Sequence, residues 1–464
     1  MNGKRVTFTD VLRVREFRVL WLADAQSSIG DQLGRVALSV LVFERTSSAI
    51  LTALTYSLTF LPAIIGGALL SSLADRLPRR RVMIGTDLVR TVLFGGMAIP
   101  GMPLAALCVM LVLAVLCEAP FSAAEAALMP TILPNHDEYV VGTGLRSITF
   151  QVSQLAGFAG GGVVIALIGA RQGLALDALS FLLSAGMIVA GVHARPAALA
   201  PAEDGEVRTS SLTAGIRLVF TNPKLRLLVG LAWLAGIYVV PEGVAAPYAS
   251  KVAAGATPVG LLMAAMPLGT ALGTYLFVRW MPAARRSSWM GPLGMLAGLP
   301  LIACVMVPSL PISLVLWMLS GLFFCYQVQV ATEFVRAVPD SQRGQAIGIA
   351  ASGLLAVQGI GIFLGGWVAE VAGVGWAVGG AGLAGMLAAL TLALMWSRAR
   401  AAEPSEPAGV SGTGTAAAAE APAIEQHAEP MGAPATTAEA AAARRRGARQ
   451  RLVNAGNQPP RHRA

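Results

Sequence analysis

The chain has 464 residues, 55% of them hydrophobic and only 13% charged, with a mean hydropathy of +0.66. A soluble domain carries about a quarter of its residues as charges, so a soluble globule is excluded and an all-α membrane protein with many spans is implied. The net charge of +9 would by itself suit nucleic acid, but arginine on cytoplasmic loops and in a basic tail accounts for it, and no nucleic-acid partner is expected.

Residues 1–16 are polar and basic and belong in the cytoplasm. No cleavable signal peptide is visible, because the first long helix carries charges where a signal sequence is apolar. Apolar periodicity places spans one to six at about 17–44, 49–73, 82–100, 104–129, 142–168 and 173–192. The polar segment 193–222 then breaks the pattern and reads as a cytoplasmic linker. Spans seven to twelve follow at about 225–249, 257–280, 288–307, 311–335, 344–369 and 374–397. The expected organisation is twelve transmembrane helices in two pseudo-symmetric six-helix bundles, 17–192 and 223–397. The Ala-, Pro-, Glu- and Gly-rich stretch 398–464 reads as a disordered cytoplasmic tail. Arginine placement supports that count. With both termini inside, the external loops hold only Arg45, Arg171 and Lys251, and losing one span would destroy the asymmetry.

Span one is poor by hydropathy because it holds Asp24, Gln26, Asp31, Gln32 and Arg35. At about 100° per residue, Asp24, Ser28, Asp31, Arg35 and Ser39 share one narrow face. Each charge at mid-bilayer costs roughly 2.5–3.5 kcal/mol, so this stripe must face a water-filled cavity or other helices. A carboxylate in a poorly hydrated cavity can take and release a proton near neutral pH. Asp31 is the first candidate for proton coupling, and Asp24, nearer the cytoplasm, is the second, with membership of the inner gate as its alternative role. The plainer alternative is a structural pair of Asp31 with Arg35 at i, i+4.

Between spans two and three lies Ser71-Ser72-Leu73-Ala74-Asp75-Arg76-Leu77-Pro78-Arg79-Arg80-Arg81, a short basic hinge. Its arginines fix the loop in the cytoplasm. Asp75 sits where the incoming helix ends, and a carboxylate there can bind the N-terminus of a neighbouring helix or an arginine across a gap. Asp75, Arg76, Arg79 and Arg80 are therefore read as a cytoplasmic gate. In span three, Asp87 and Arg90 at i, i+3 read as a local pair.

Span four carries Glu118 and Glu125 on one face, with Ser122 between them. Glu118 falls near mid-membrane and is a further proton-coupling candidate. Glu125 lies toward the cytoplasm, where Arg146 at the start of span five, or an arginine of the 76–81 loop, can pair with it as part of the gate. Span five offers Ser147, Gln151 and Gln154 on one face, neutral hydrogen-bonding groups suited to a polar organic substrate. Gly157-Phe158-Ala159-Gly160-Gly161-Gly162 follows, where small residues let helices approach closely. Span seven holds Glu242 after Pro241, with Pro247 close by, a composition that bends or breaks membrane helices. Glu242, toward the outside, can meet a cationic substrate or close an outer gate. With Arg35, Gln151 and Gln154 it completes the expected lining of a substrate cavity. Cys108, Cys117, Cys304 and Cys325 lie in apolar runs without ligand spacing, so neither a disulfide framework nor a metal is expected, nor any cofactor.

The halves resemble each other. Glu125-x-x-x-x-Pro130 before Arg146 parallels Glu333-x-x-x-x-x-Pro339 before Arg343, and Gln154 to Gly162 parallels Gln358 to Gly366. Two related bundles with a site between them is a common transporter plan.

These residues carry a family resemblance. Asp75, Arg76, Arg79 and Arg80 between two spans resemble the loop between spans two and three of the major facilitator superfamily, with Ser71 and Pro78 where that pattern has glycine. Phe17-Arg18-x-Leu20-Trp21-Leu22, Ser28-x-Gly30-Asp31, Asp177-Ala178-x-Ser180-Phe181 and Gly344-x-Ala346 to Gly366 are similar to the branch that contains enterobactin and macrolide exporters. The resemblance covers about 10–397. Glu125 departs from it, standing where many relatives carry arginine, and Phe158 stands where the antiporter glycine motif has proline. The resemblance implies a monomeric secondary transporter in a bacterial plasma membrane, exchanging protons for a drug-like or siderophore-like organic molecule. Proton-coupled uptake is the alternative direction, and a non-transporting membrane sensor or assembly partner the alternative class. No nucleophile–base pair appears and no Gly-x-x-x-x-Gly-Lys-[Ser/Thr] loop, so neither an enzyme nor an ATP-driven pump is expected.

Overall fold

A computed structural model of the chain describes residues 6–70, 77–195, 215–253, 255–339 and 342–402. Residues Met1–Pro404 form one compact unit, and Ser405–Ala464 fall in a second that lies outside the described residues. Asp75 and Arg76 of the basic hinge, most of the 193–222 linker and the tail beyond 402 also lie outside them.

All elements among the described residues are helical. A short α1 (Phe8–Arg13) leads into α2 (Arg15–Thr46), and α3 (Ala49–Ser57), α4 (Leu61–Leu69), α5 (Arg79–Met97), α6 (Leu104–Ile132), α7 (His136–Ile168) and α8 (Ala170–Gly191) follow. After the linker come α9 (Pro223–Trp233), α10 (Ala235–Tyr238), α11 (Val240–Gly243), α12 (Ala245–Val252), α13 (Ala256–Trp280), α14 (Ala283–Ala303), α15 (Leu310–Phe323), α16 (Tyr326–Ala337), α17 (Arg343–Ala372) and α18 (Val374–Ala402).

Proline sets the breaks. Pro62 has no N–H to offer Leu58, and the helix stops between Ser57 and Leu61. Pro241 and Pro247, with Gly236 and Gly243, divide the stretch 223–252 into four short helices, as that composition predicts.

Ten helices are long and apolar enough to cross a membrane, with α3–α4, α9–α11 and α15–α16 each counted as one stretch. Two more, α2 with 32 residues and α5 with 19, are long but carry Asp24, Asp31, Arg35, Asp87 and Arg90. The outward surface is apolar where a soluble protein would be polar. Val92, Leu167, Val371 and Trp376 all face out, Leu167 at 80% exposure. A band of that kind is a lipid-facing surface, and the chain is a multi-pass membrane protein.

The first half packs α2 against α7 and α8, and α5 against α6 and α8; the second packs α14 against α15 and α18. The halves meet along two seams, α7 with α13 and α3–α4 with α17. Both are made by glycine. A Cβ on Gly162 would stand 2.8 Å from the Cα of Gly260, and one on Gly366 would stand 2.2 Å from the Cβ of Ala53. The turns after α7 and α17, at matching places in the two halves, share one backbone shape, Gly169 with φ 94° and ψ 158° and Gly373 with φ 98° and ψ 156°. That left-handed conformation is open to glycine and strained for other residues.

Candidate functional site

The charged face of α2 lines a cavity of about 540 Å³. Asp24, Ser28, Asp31 and Arg35 stand along it, joined by Arg90 from α5, Glu118, Ser122 and Glu125 from α6, and Thr143, Arg146, Ser147 and Gln151 from α7. Periodicity places these groups together. Residues 24, 28, 31 and 35 recur at three and four along α2, as do 118, 122 and 125 along α6, while 143, 147 and 151 recur at four along α7. A recess of about 30 Å³ continues inward past Asp31, Arg35 and Glu118 to Thr59 and Leu111. Every described residue that lines the cavity comes from the first half of the chain.

Two ion-pair groups organise its wall. Arg90 Nη2 donates to both oxygens of Asp31, at 2.9 and 3.2 Å, and its guanidinium lies 4.0 Å from the centre of the Phe181 ring. Arg90 is therefore held on one side by a carboxylate and on the other by an aromatic face. Nearer the N-terminal face, Arg146 Nη2 donates to Glu125 Oε2 at 2.5 Å and to Asp24 Oδ2 at 3.4 Å. Glu125 and Arg146 thus come together, with Asp24 as a third member of the group.

Two local pairs, Asp87 with Arg90 and the alternative of Asp31 with Arg35, are not found as close ion pairs among the described residues. Asp31 bonds Arg90 from another helix instead of Arg35 one turn along. Arg35 lies 5.5 Å from the centre of the Phe60 ring and interacts with Tyr56, Glu118, Asp31 and Glu242. Asp87, expected to pair with Arg90 at i, i+3, is fully buried and lies beside Ser184. The Asp31 carboxylate instead faces α5, where Arg90 reaches both of its oxygens.

Gln154 and Glu242 are not among the described residues that line this cavity. Gln154 lies one turn beyond Gln151, where the cavity has ended. Glu242 instead accepts a hydrogen bond from Tyr56 Oη at 3.0 Å, so it ties α11 to α3 across the halves. Of the basic hinge, Arg79 donates to the Ala127 carbonyl at 2.8 Å and Arg80 to the Val189 carbonyl at 2.6 Å. Both therefore clamp helix ends of the first half. Gly157 and Gly161 face α2, whereas Gly162 faces α13, so this glycine run serves two interfaces at once.

Sequence reasoning missed three polar contacts. Tyr56 is an unremarked residue of an apolar run. Glu16 binds both Arg195, in a two-pronged pair, and the backbone and ring of His193. Glu370, near the end of α17, accepts from the first turn of α3. The signal for the last was present as Thr46-Ser47-Ser48 before an apolar run, an N-cap signature. Among the described residues no group of three metal-ligating side chains is found.

The profile described as Major Facilitator Superfamily matches residues 20–248 and 242–443. The chain is similar to the uncharacterized MFS-type transporter YkuC of Bacillus subtilis (strain 168), 28% identical over 188 residues, which are 39% of this chain and 42% of that protein. It is similar to the multidrug efflux pump Tap of Mycolicibacterium fortuitum, 25% identical over 374 residues, 76% of this chain and 89% of the other. Macrolide efflux protein A of Streptococcus pyogenes is 32% identical over 74 residues, 16% of this chain and 18% of that one. Among solved structures, a bacterial homologue of the human lysosomal transporter Spinster, inward-facing and occupied, superposes with a TM-score of 0.66 at 14% identity, over 83% of this chain and 96% of that one. At that identity the likeness concerns the fold alone.

Proposed function

From a chain that belongs to the major facilitator superfamily, and is therefore a transporter and not an enzyme, we propose a proton-coupled exporter of a drug-like or siderophore-like organic molecule, acting as a monomer. It crosses the membrane twelve times. The ten apolar helices are joined by α2 and α5, whose charges face the cavity and their neighbours instead of lipid. The crossings form two related bundles, 17–192 and 223–397, and the matched turns at Gly169 and Gly373 support that repeat. The linker 193–222, the N-terminal segment 1–16 and the tail 398–464 lie in the cytoplasm of a bacterial cell, because arginine concentrates on that face.

The observation that carries this reading is the charged wall of the cavity. Asp31, Asp24 and Glu118 are acids set in a membrane protein beside an aqueous space, and such groups mark proton or substrate paths. Asp31 is the coupling acid. Its partner Arg90 is released when Asp31 takes a proton, so the charge state of the wall changes with proton load. Arg35, Glu118 and Gln151 are where substrate meets the wall. Glu125, Arg146 and Asp24, with Arg79, Arg80 and the hinge residues Asp75 and Arg76, form the first half's share of the cytoplasmic gate, and the cavity is shut off from the cytoplasm when the second half closes against them. The likeness to Tap and macrolide efflux protein A, both named as efflux proteins, favours export of drug-like molecules over uptake.

Everted membrane vesicles test the proposal. With ethidium and a macrolide as probes, export predicts accumulation inside acid-loaded vesicles and its collapse on adding an uncoupler. Accumulation only in right-side-out vesicles would mean uptake, and the absence of any proton dependence would remove the coupling.

A further inference from the structure

On the face opposite the N-terminus, a carboxylate from the second half meets a helix start of the first. Glu370 Oε2, from the last turn of α17, accepts from the backbone N–H of Ala49 at 2.7 Å, from that of Ile50 at 3.1 Å and from Ser48 Oγ at 3.1 Å. Ala49 and Ile50 open helix α3. The first N–H groups of a helix have no partner within it, and their dipoles favour a negative charge. Ser48 caps the next group, taking a bond from the Leu51 N–H at 3.3 Å. The first turn of α3 thus divides its donors between a cap on its own strand of chain and a carboxylate from the other half of the molecule.

A second, independent observation places the tightest part of the seam beside this bond. One turn back along α17, a Cβ on Gly366 would meet the Ala53 Cβ at 2.2 Å and the Ala49 carbonyl oxygen at 3.2 Å. No side chain fits there while α3 and α17 touch. The glycine lets the two helices approach far enough for Glu370 to reach the N–H groups, and the carboxylate holds them there.

We propose that Glu370 and Gly366 form a clasp between α17 and α3 that locks the face opposite the N-terminus, and that its release is a step of the transport cycle. The clasp suits repeated opening. Glu370 stands at the surface, so when the halves part both the carboxylate and the freed N–H groups pass directly to water. No buried polar group is stranded in the open form, which is the condition for a contact that must break on every cycle. The proposal rests on the two halves moving against each other but requires no proton coupling and no particular substrate.

Spin-label distances in the purified full-length protein test it, with no substrate and no gradient present. In a background where Cys108, Cys117, Cys304 and Cys325 are replaced by alanine, one label pair at Arg45 and Met306 reports the clasped face. A second pair at Tyr139 and Trp280 reports the N-terminal face. Glu370→Ala is expected to add a longer distance for the first pair and a shorter one for the second. The ratio of the two forms should change by about tenfold, the size for loss of one charge-assisted contact. Gly366→Ala, which leaves the carboxylate in place, is expected to move both pairs in the same directions. Unchanged distances in both variants would overturn the clasp. So would a longer first distance with the second unmoved, since that is fraying of one helix end and not movement of one half. Because no transport is measured, failure here leaves the proton-coupled export reading standing, and failure of that reading leaves the distances as predicted.

Discussion

The two halves of the chain use their membrane segments differently. The first places Asp24, Asp31, Arg35, Asp87, Arg90, Glu118, Glu125, Arg146 and Asp177 within α2 and α5–α8. The second keeps its charges near helix ends, as with Lys251, Arg279, Arg336 and Glu370, and the exception, Glu242, is bonded to Tyr56 of the first half. Where the first half spends sequence on charge, the second spends it on proline and glycine. Its α9–α12 stretch is broken by Pro241 and Pro247, and Gly260 and Gly366 let its helices touch the other half backbone to backbone or nearly so. One half can carry the charged wall while the other supplies the surfaces that close against it.

The comparison is broken most severely at Arg90. Arg90→Ala leaves the Asp31 carboxylate without its partner. Removing one member of a fully buried pair costs about 3–5 kcal/mol, and less is expected here because the Asp31 side chain is 28% exposed to the cavity. Thermal unfolding in detergent should show a large drop for Arg90→Ala. Most of it should be recovered in the double variant with Asp31→Asn, which removes the stranded charge. A drop that the double variant deepens would mean that Arg90 is held by Phe181 and not by Asp31.

The second half is probed at its seam. A Cβ on Gly260 would lie 2.4 Å from the Phe158 carbonyl oxygen and 2.6 Å from the Cα of Gly162. Neither backbone can move aside as a flexible side chain would. Gly260→Ala is expected to destabilise by about 1–3 kcal/mol, the usual cost of overpacking, read as a lower melting temperature. Gly160→Ala, in open space within the same glycine run, serves as the control and should melt as the parent does.

The smallest expected effect lies outside the membrane, at Glu16. Burial pushes its carboxyl up, but bonds from Arg195 and His193 outweigh that and hold it below the usual carboxylate value. A carboxyl lowered on folding contributes stability above its unfolded value, and that contribution is lost as pH falls through the folded value. Melting temperature should therefore fall on acidification below the ordinary carboxylate range, and Glu16→Gln should flatten that part of the profile while leaving the charges of the cavity wall untouched. An identical acid limb in the variant would remove Glu16 from the account.

Much of the fold was legible in the sequence. Apolar length marks the crossing helices, Pro241 and Pro247 mark the broken stretch, and three-and-four spacing puts Asp24, Asp31 and Arg35 on one face. Such periodicity names the face of a helix but not what stands opposite. Asp31 finds Arg90, 59 positions away, and Ser48 finds Glu370, 322 positions away, because of how the helices are set against each other in rotation and height. Gln154 shows the same limit of periodicity. It shares the face of Gln151, but where along that face the cavity ends depends on the neighbouring helices.

The central claim is that Asp31 couples proton movement to transport, and the most direct measurement compares two modes in proteoliposomes containing Asp31→Asn. The account predicts that accumulation driven by a proton gradient falls to the level seen with an uncoupler, while exchange of labelled for unlabelled substrate without a gradient continues. Gradient-driven accumulation at the parent level in that variant would contradict it.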